Sequence, residues 1–340
     1  MGARLPIDQS QPLRDELPES AAPSDAENDV TETGTGAMTG DKLLSPEGLS
    51  SAKDLPFLRH RYRELDLAFE SDERVLWCYM RPDGPPSFTR SLLADLISLR
   101  KAIQRDYAAL PSHSEAPLRY FIGASQLPGV FNLGGDLDFF IQSIKRGDRD
   151  ALQKYAFDCV DVGYHMSVAM ELPLVTIALV QGDALGGGFE GALSFNVLVA
   201  ERSAKLGLPE VLFNLFPGMG AYSFLSRRLD PIRAERMILS GRIYTAEELH
   251  EMGVVDILAE DGEGEQAVRH FIAGNGRRRH VMHALNKTAQ RVNPLTLEEL
   301  RDVTEIWVDT AMHLHNKDLR KMHRLAIAQM HRIRQPSRAR

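Results

Sequence analysis

The chain has 340 residues, 43% of them hydrophobic, a formal net charge of -7 and a pI near 5.9. That is apolar material for one large core and too much for a wholly disordered chain, while the negative charge argues against nucleic acid as a general partner, because phosphates call for clustered cations. No stretch approaches the roughly 20 apolar residues of a membrane span.

Residues 1–53 read as an acidic tail rich in Pro, Ser, Thr and Gly. Its first 50 positions carry ten acids against three bases, a net of -7 that leaves the remainder close to neutral. Such a segment cannot bury enough apolar surface to offset its ordering entropy, so disorder is expected. No apolar run near the start could serve as a signal peptide. Cys78 and Cys159 have neither CxxC nor metal-ligand spacing and read as reduced, buried thiols, which suits a cytoplasmic protein.

A globular core is expected over 54–285. Arg74–Tyr79 (RVLWCY) predicts a strand, and Leu92, Leu96, Leu99 and Ile103 recur at helical spacing within Ser91–Tyr107. Leu118–Gly123 predicts a second strand, followed by a glycine turn at Asn132–Asp136. Arg149–Glu171 predicts one long helix, and Leu174–Gln181 a strand buried on both faces. Gly182–Gly188 reads as another glycine turn running into the helical pattern FEGALSF, and Asn196–Ala200 as a further short strand. Short strands alternating with helices indicate parallel βαβ units and an α/β fold. Residues 286–335 are expected to be helical. Leu300, Val303, Trp307, Ala311 and Leu314 share one face, a break is expected at Asn316–Asp318, and Leu319, Met322, Leu325 and Ile333 continue the pattern before a frayed end at 336–340.

Three signals carry chemistry. In Asp183–Glu190 (DALGGGFE) a buried strand leads through three glycines into a helix, whose first N–H groups lack internal partners and can face a developing negative charge. No Gly-Lys-Ser/Thr follows and no GxGxxG spacing is met, so a thioester oxygen turning enolate fits as well as a phosphate. Gly129–Phe139 carries a second glycine turn after a strand, and one N–H from each turn could meet on a single oxygen. Glu210 follows Glu190 by twenty positions, room for one helix and one strand that return the chain to the same sheet edge. Two carboxylates facing one pocket can hold opposite protonation states, one removing a proton while the other donates. GASQLPG lacks the second glycine of a GxSxG elbow, which argues against Ser125 as a nucleophile.

These residues together resemble the crotonase (enoyl-CoA hydratase-like) superfamily. FNLGGDLDFF resembles its first oxyanion-hole turn, DALGGGFE its second, KLGLPEVLFNLFPGMG the segment bearing a second acid, and SGRIYTAEELHEMGVVD a later stretch of the family. The resemblance implies an α/β, crotonase-like ββα spiral core with a helical C-terminal region. It puts the oxyanion-hole N–H groups at Gly135 and Gly187 and the acid/base pair at Glu190 and Glu210, with Glu210 favoured as base, Glu190 as acid, and the reverse left open.

Departures from ordinary hydratases point to one branch. Gly135 stands where Ala is usual, FPGMGAYSFLSRRL replaces FPGxGGTQRL, and the entry strand lacks an N-A-L-N signature. These features resemble the synthases of the bacterial diffusible signal factor. That branch implies dehydration of a 3-hydroxyacyl chain on acyl carrier protein (or CoA) to a cis-2-enoyl thioester, then hydrolysis to a free fatty acid used in quorum sensing. It also implies that Leu185, Met219 and Trp307 line the acyl pocket, although spacing alone would place Met219 and Trp307 in the core. No metal or redox cofactor is implied, since the thioester is the electron sink. Expected partners are the carrier-linked substrate, a sensor-kinase receiver domain and further copies in a homo-oligomer such as a trimer. The basic run Arg277–His280 reads as a solvated helix face and, as an alternative, as a surface for an acidic carrier protein or a nucleotide. The alternatives are a conventional enoyl-CoA hydratase and a crotonase-fold binding or regulatory protein.

Overall fold

The computed structural model describes residues 55–110 and 116–334. The predicted acidic tail at 1–53, the end at 336–340 and the side chain of Ile333 lie outside the described residues.

Among the described residues, ten strands form two sheets. The larger takes β1 (Leu65–Glu70), β2 (Val75–Met80), β3 (Tyr120–Ser125), β5 (Val175–Val180), β7 (Val197–Glu201) and β10 (Ile257–Ala259) in the order β1-β2-β3-β5-β7-β10. Only its β1–β2 pair is antiparallel. β5 shows why a continuous apolar run is needed in a sheet covered on both faces. Val175, Ile177 and Leu179 face one apolar cluster, Ala178 and Val180 the other. Val268, Phe271 and Ile272 of α8 (Gly264–Asn275) close the first of these clusters.

The smaller sheet positions the site. It contains β4 (Gly129–Asn132), β6 (Gly182–Leu185), β8 (Lys205–Gly207) and β9 (Ile243–Thr245), in that order. β4, β6 and β8 run parallel, with Asn132 opposite Ala184 and Leu185 opposite Gly207. Parallel neighbours in register end at one edge, so the segments that follow them all emerge there. Those segments are the two glycine turns and Leu208-Pro209-Glu210. Gly182–Leu185, read from sequence as part of a turn, is thus a strand.

Of the helices, α2 (Leu137–Arg146), α3 (Arg149–Ser167) and α4 (Gly187–Leu193) contribute to the site cavity, and α1 (Arg90–Ala108) packs against α3. α3 stops at Ser167 and does not run to Glu171. Ala169, Met170 and Glu171 take left-handed φ of 50°, 56° and 61°. Side chains from the adjoining strands close the helix end, Thr176 Oγ1 donating to Met166 O at 2.9 Å and Asn196 Nδ2 to Ser167 O at 3.1 Å.

The C-terminal region is helical, with α9 (Arg279–Val292), α10 (Leu297–Met312) and α11 (Asn316–Arg334). The break falls at 313–315, before the predicted position. Asp318 lies inside α11, where its carboxylate accepts the His315 N–H at 3.1 Å and so starts the helix instead of interrupting it. No described helix is long and apolar enough to cross a membrane.

Candidate active site

The first glycine turn is shaped by Asn132, the last residue of β4, whose Oδ1 accepts the Gly134 N–H at 2.8 Å. Phe88 N–H bonds Gly134 O at 2.7 Å. Tyr155 of α3 pins the other side, its hydroxyl accepting the Asp136 N–H at 3.1 Å and donating to Phe88 O at 2.5 Å. Gly135 sits between these anchors.

The second turn follows β6. Gly186 has φ 54°, a left-handed angle, and a Cβ there would stand 2.5 Å from Glu210 Oε1. Gly188 must also lack a side chain, because a Cβ would overlap the carbonyl oxygen of Asn132. Gly187 opens α4, so its N–H has no partner within the helix. The two turns abut, with Gly135 N 3.4 Å from where a Gly187 Cβ would lie.

Glu190 is the fourth residue of α4 and only 1% exposed. Its Oε1 accepts the N–H of Met219 at 2.7 Å and of Ala221 at 2.9 Å, both from the Phe216–Ala221 turn. Burial lifts its carboxyl from 4.5 to about 7, against the pull of those two donors toward the ionised form. Glu210 opens out of the turn after β8. Its residue surface is partly exposed, but Oε2 is sealed from solvent without a hydrogen-bond partner. Burial first, and then the charge of Glu190, push its carboxyl well above the usual range.

One cavity of about 160 Å3 is lined by Gly135, Leu185, Gly187, Glu190, Glu210, Met219 and Trp307. The structure therefore brings together every site residue singled out in the sequence, including the two that spacing alone would assign to the core. The Met219 sulfur rests against Gly187, and the Trp307 indole covers Gly218, leaving no room for a Cβ there. Tyr155, Phe140 and Gly134 also line the cavity and were not anticipated. Phe140 joins the walls, edge-on to Trp307 with ring centroids 5.2 Å apart and to Tyr155 at 5.3 Å. The periodicity of α2 and α3 marks these aromatics as inward-facing, which is also the signature of plain core. The arrangement suits moving protons on and off adjacent carbons of a bound chain whose oxygen lies at the glycine turns.

The sequence matches the family model of enoyl-CoA hydratase/isomerase over residues 114–322. Over 190 residues it is 31% identical to the mitochondrial methylglutaconyl-CoA hydratase of Rattus norvegicus, covering 56% of this chain and 55% of that protein. A stretch of 86 residues is 43% identical to the mevalonyl-coenzyme A hydratase of Beauveria bassiana, covering 25% of this chain and 31% of that one. The chain thus spans about half, or less, of the length of these curated relatives. An enoyl-CoA hydratase/isomerase structure from Xanthobacter autotrophicus shares the fold, with a TM-score of 0.62 at 20% identity over 79% of this chain and 98% of that one.

Proposed function

The chain belongs to the enoyl-CoA hydratase/isomerase family, and from that premise we propose that it interconverts 2-enoyl and 3-hydroxyacyl thioesters. The observation that carries the reading is the pair of buried carboxyls, Glu190 and Glu210, in one apolar cavity with two abutting glycine turns. The hydratase relatives support it over the shared stretch. The thioester oxygen lies between the N–H groups of Gly135 and Gly187, which stabilise it as it turns enolate.

The free protein is set for hydration. Glu190, with two N–H donors on one oxygen, is the easier of the two to ionise. Glu210 has no such donors from neighbouring residues and keeps its proton. Glu190 takes a proton from water as the oxygen bonds to C3, the double-bond electrons move toward the carbonyl, and Glu210 delivers its proton to C2. Dehydration is the reverse, with Glu210 as base and Glu190 as acid.

A second reading keeps these residues and changes the product: a synthase of a cis-2-unsaturated fatty-acid signal. After dehydration, water activated by either carboxylate attacks the thioester carbon, the carbon–sulfur bond breaks, and the carrier leaves as its thiol. The apolar cavity wall of Leu185, Met219 and Trp307 accommodates the fatty-acyl chain that it requires. The hydratase reading stands first because it needs only the chemistry of the family.

The test is hydration of 2-butenoyl-CoA, followed by loss of enoyl-thioester absorbance, with mass spectrometry of products. Glu190→Gln and Glu210→Gln should each lose about a hundredfold or more in turnover. Near wild-type rates in both variants would overturn the proposal, and a free unsaturated acid formed from a 3-hydroxyacyl thioester would select the second reading.

A further inference from the structure

Behind the cavity just described lies a second, smaller one of about 50 Å3. It is enclosed between the larger sheet and helices α1, α3 and α4, and its wall includes Met80, Leu96, Phe121, Cys159, Met166 and Phe195. Apart from Glu190 at the boundary with the first cavity, its polar side chains are quenched. Ser194 Oγ donates to Gly191 O at 2.6 Å. Burial raises the thiols of Cys78 and Cys159, which stay neutral. An apolar void of this kind stays dry and takes apolar ligands. A benzene ring occupies a cavity of roughly 150 Å3, and this one, about a third of that volume, has room for the end of an alkyl chain and not for a ring.

Glu190 and Met219 line both cavities and form the partition between them. The Glu190 carboxylate is fixed by two backbone N–H groups. The Met219 side chain is held by packing alone, and its unbranched thioether turns readily. α3 runs alongside both spaces, with Tyr155 and Ala156 facing the outer and Cys159 and Met166 the inner. Phe195 is part of the wall. Its ring lies directly on Gly123 and stacks with Phe121 at 6.4 Å between centroids.

We propose that this inner chamber holds the distal end of an unbranched acyl chain, reached past Met219, so that Cys159 sets its width and Phe195 its depth. The proposal rests on reading the outer cavity as a thioester site, and it makes the substrate class medium-chain linear acyl thioesters. Each methylene sheltered from water should tighten binding about fourfold.

Saturated acyl-CoA esters have neither a 2,3 double bond nor a 3-hydroxyl, so their binding reads the chamber without turnover. Calorimetric Kd values for butanoyl-, hexanoyl-, octanoyl-, decanoyl- and dodecanoyl-CoA would be compared in the wild type, Cys159→Leu and Phe195→Ala. In the wild type, affinity should rise with length and then level off. The plateau should come at a shorter chain in Cys159→Leu and at a longer one in Phe195→Ala, two shifts of opposite sign that loss of fold cannot mimic. A wild-type affinity independent of length, or one plateau common to all three proteins, would overturn the chamber. Hydration of 2-butenoyl-CoA by the wild type is scored separately. Its absence beside a length-dependent series refutes the proposed reaction and leaves the chamber standing, and its presence beside a flat series does the opposite.

Discussion

Replacing Glu190 with Gln should exchange activity for stability at alkaline pH. In the folded protein the carboxyl titrates near 7, against 4.5 for an unperturbed glutamate. Between those values the folded chain keeps a proton that the unfolded chain has released. Stability contributed by the protonated group is therefore full below 4.5, falls as pH rises, and is lost by about 7. At about 1.4 kcal/mol per pH unit the interval amounts to roughly 3 kcal/mol. The Gln Oε1 can still accept the N–H groups of Met219 and Ala221, and an amide NH2 left without an acceptor would add a pH-independent cost of about 1–3 kcal/mol. Glu190→Gln should thus be no more stable than wild type at about pH 5 and gain about 3 kcal/mol relative to it by about pH 8. Urea unfolding of both proteins across that range measures the difference directly. A difference that stays flat with pH would refute the claim that burial lifts this carboxyl to about 7.

Hydration rate against pH should rise as Glu190 ionises near 7, and fall at higher pH as Glu210 loses its proton; Glu190→Gln should lack the rising limb in stopped-flow rates. Tyr155→Phe removes the hydroxyl bonded to Asp136 N–H and Phe88 O, and should lower kcat about tenfold or more with little change in KM, because the turn carrying Gly135 shifts. A variant that only melts earlier, with kcat intact, would reduce Tyr155 to a packing residue. Gly188→Ala drives a Cβ into the Asn132 carbonyl and should cost about 3 kcal/mol in thermal unfolding.

What was legible in the sequence follows from how densely each feature constrains composition. β5 reads plainly because both faces are buried and six consecutive residues must be apolar or satisfied. The glycine turns read because close backbone contact, as between Gly188 and Asn132, admits one residue type. The smaller sheet did not read as a sheet. β4, β6 and β8 have four, four and three residues, too few to show a period of two, and β6 begins with a glycine that imitates a turn. The end of α3 was misplaced because Ala169–Glu171 keep helix-forming composition while their conformation is set by the turn into β5. Tyr155 is unmarked in the sequence because an inward-facing aromatic on a helix has the same spacing whether its hydroxyl pins a glycine turn or merely packs.

The two carboxyls are not interchangeable, and the difference bears on the direction of turnover. In the proposed hydration Glu190 would gain a proton from water and Glu210 would give one to carbon, so the pair would end with its protons exchanged. The next cycle requires the proton to return to Glu210. The two N–H groups on Glu190 Oε1 favour its ionised form, and the sealed Oε2 of Glu210 favours its neutral one, so that return runs downhill. Dehydration must start from the opposite, less stable arrangement, and its first proton has to be set on Glu190 by the incoming substrate or by lower pH. A site built with both donors on Glu210 would reverse the preference. Under the proposed reaction, the turn at 216–221, which supplies those donors, would therefore bias which half of a reversible reaction begins without delay.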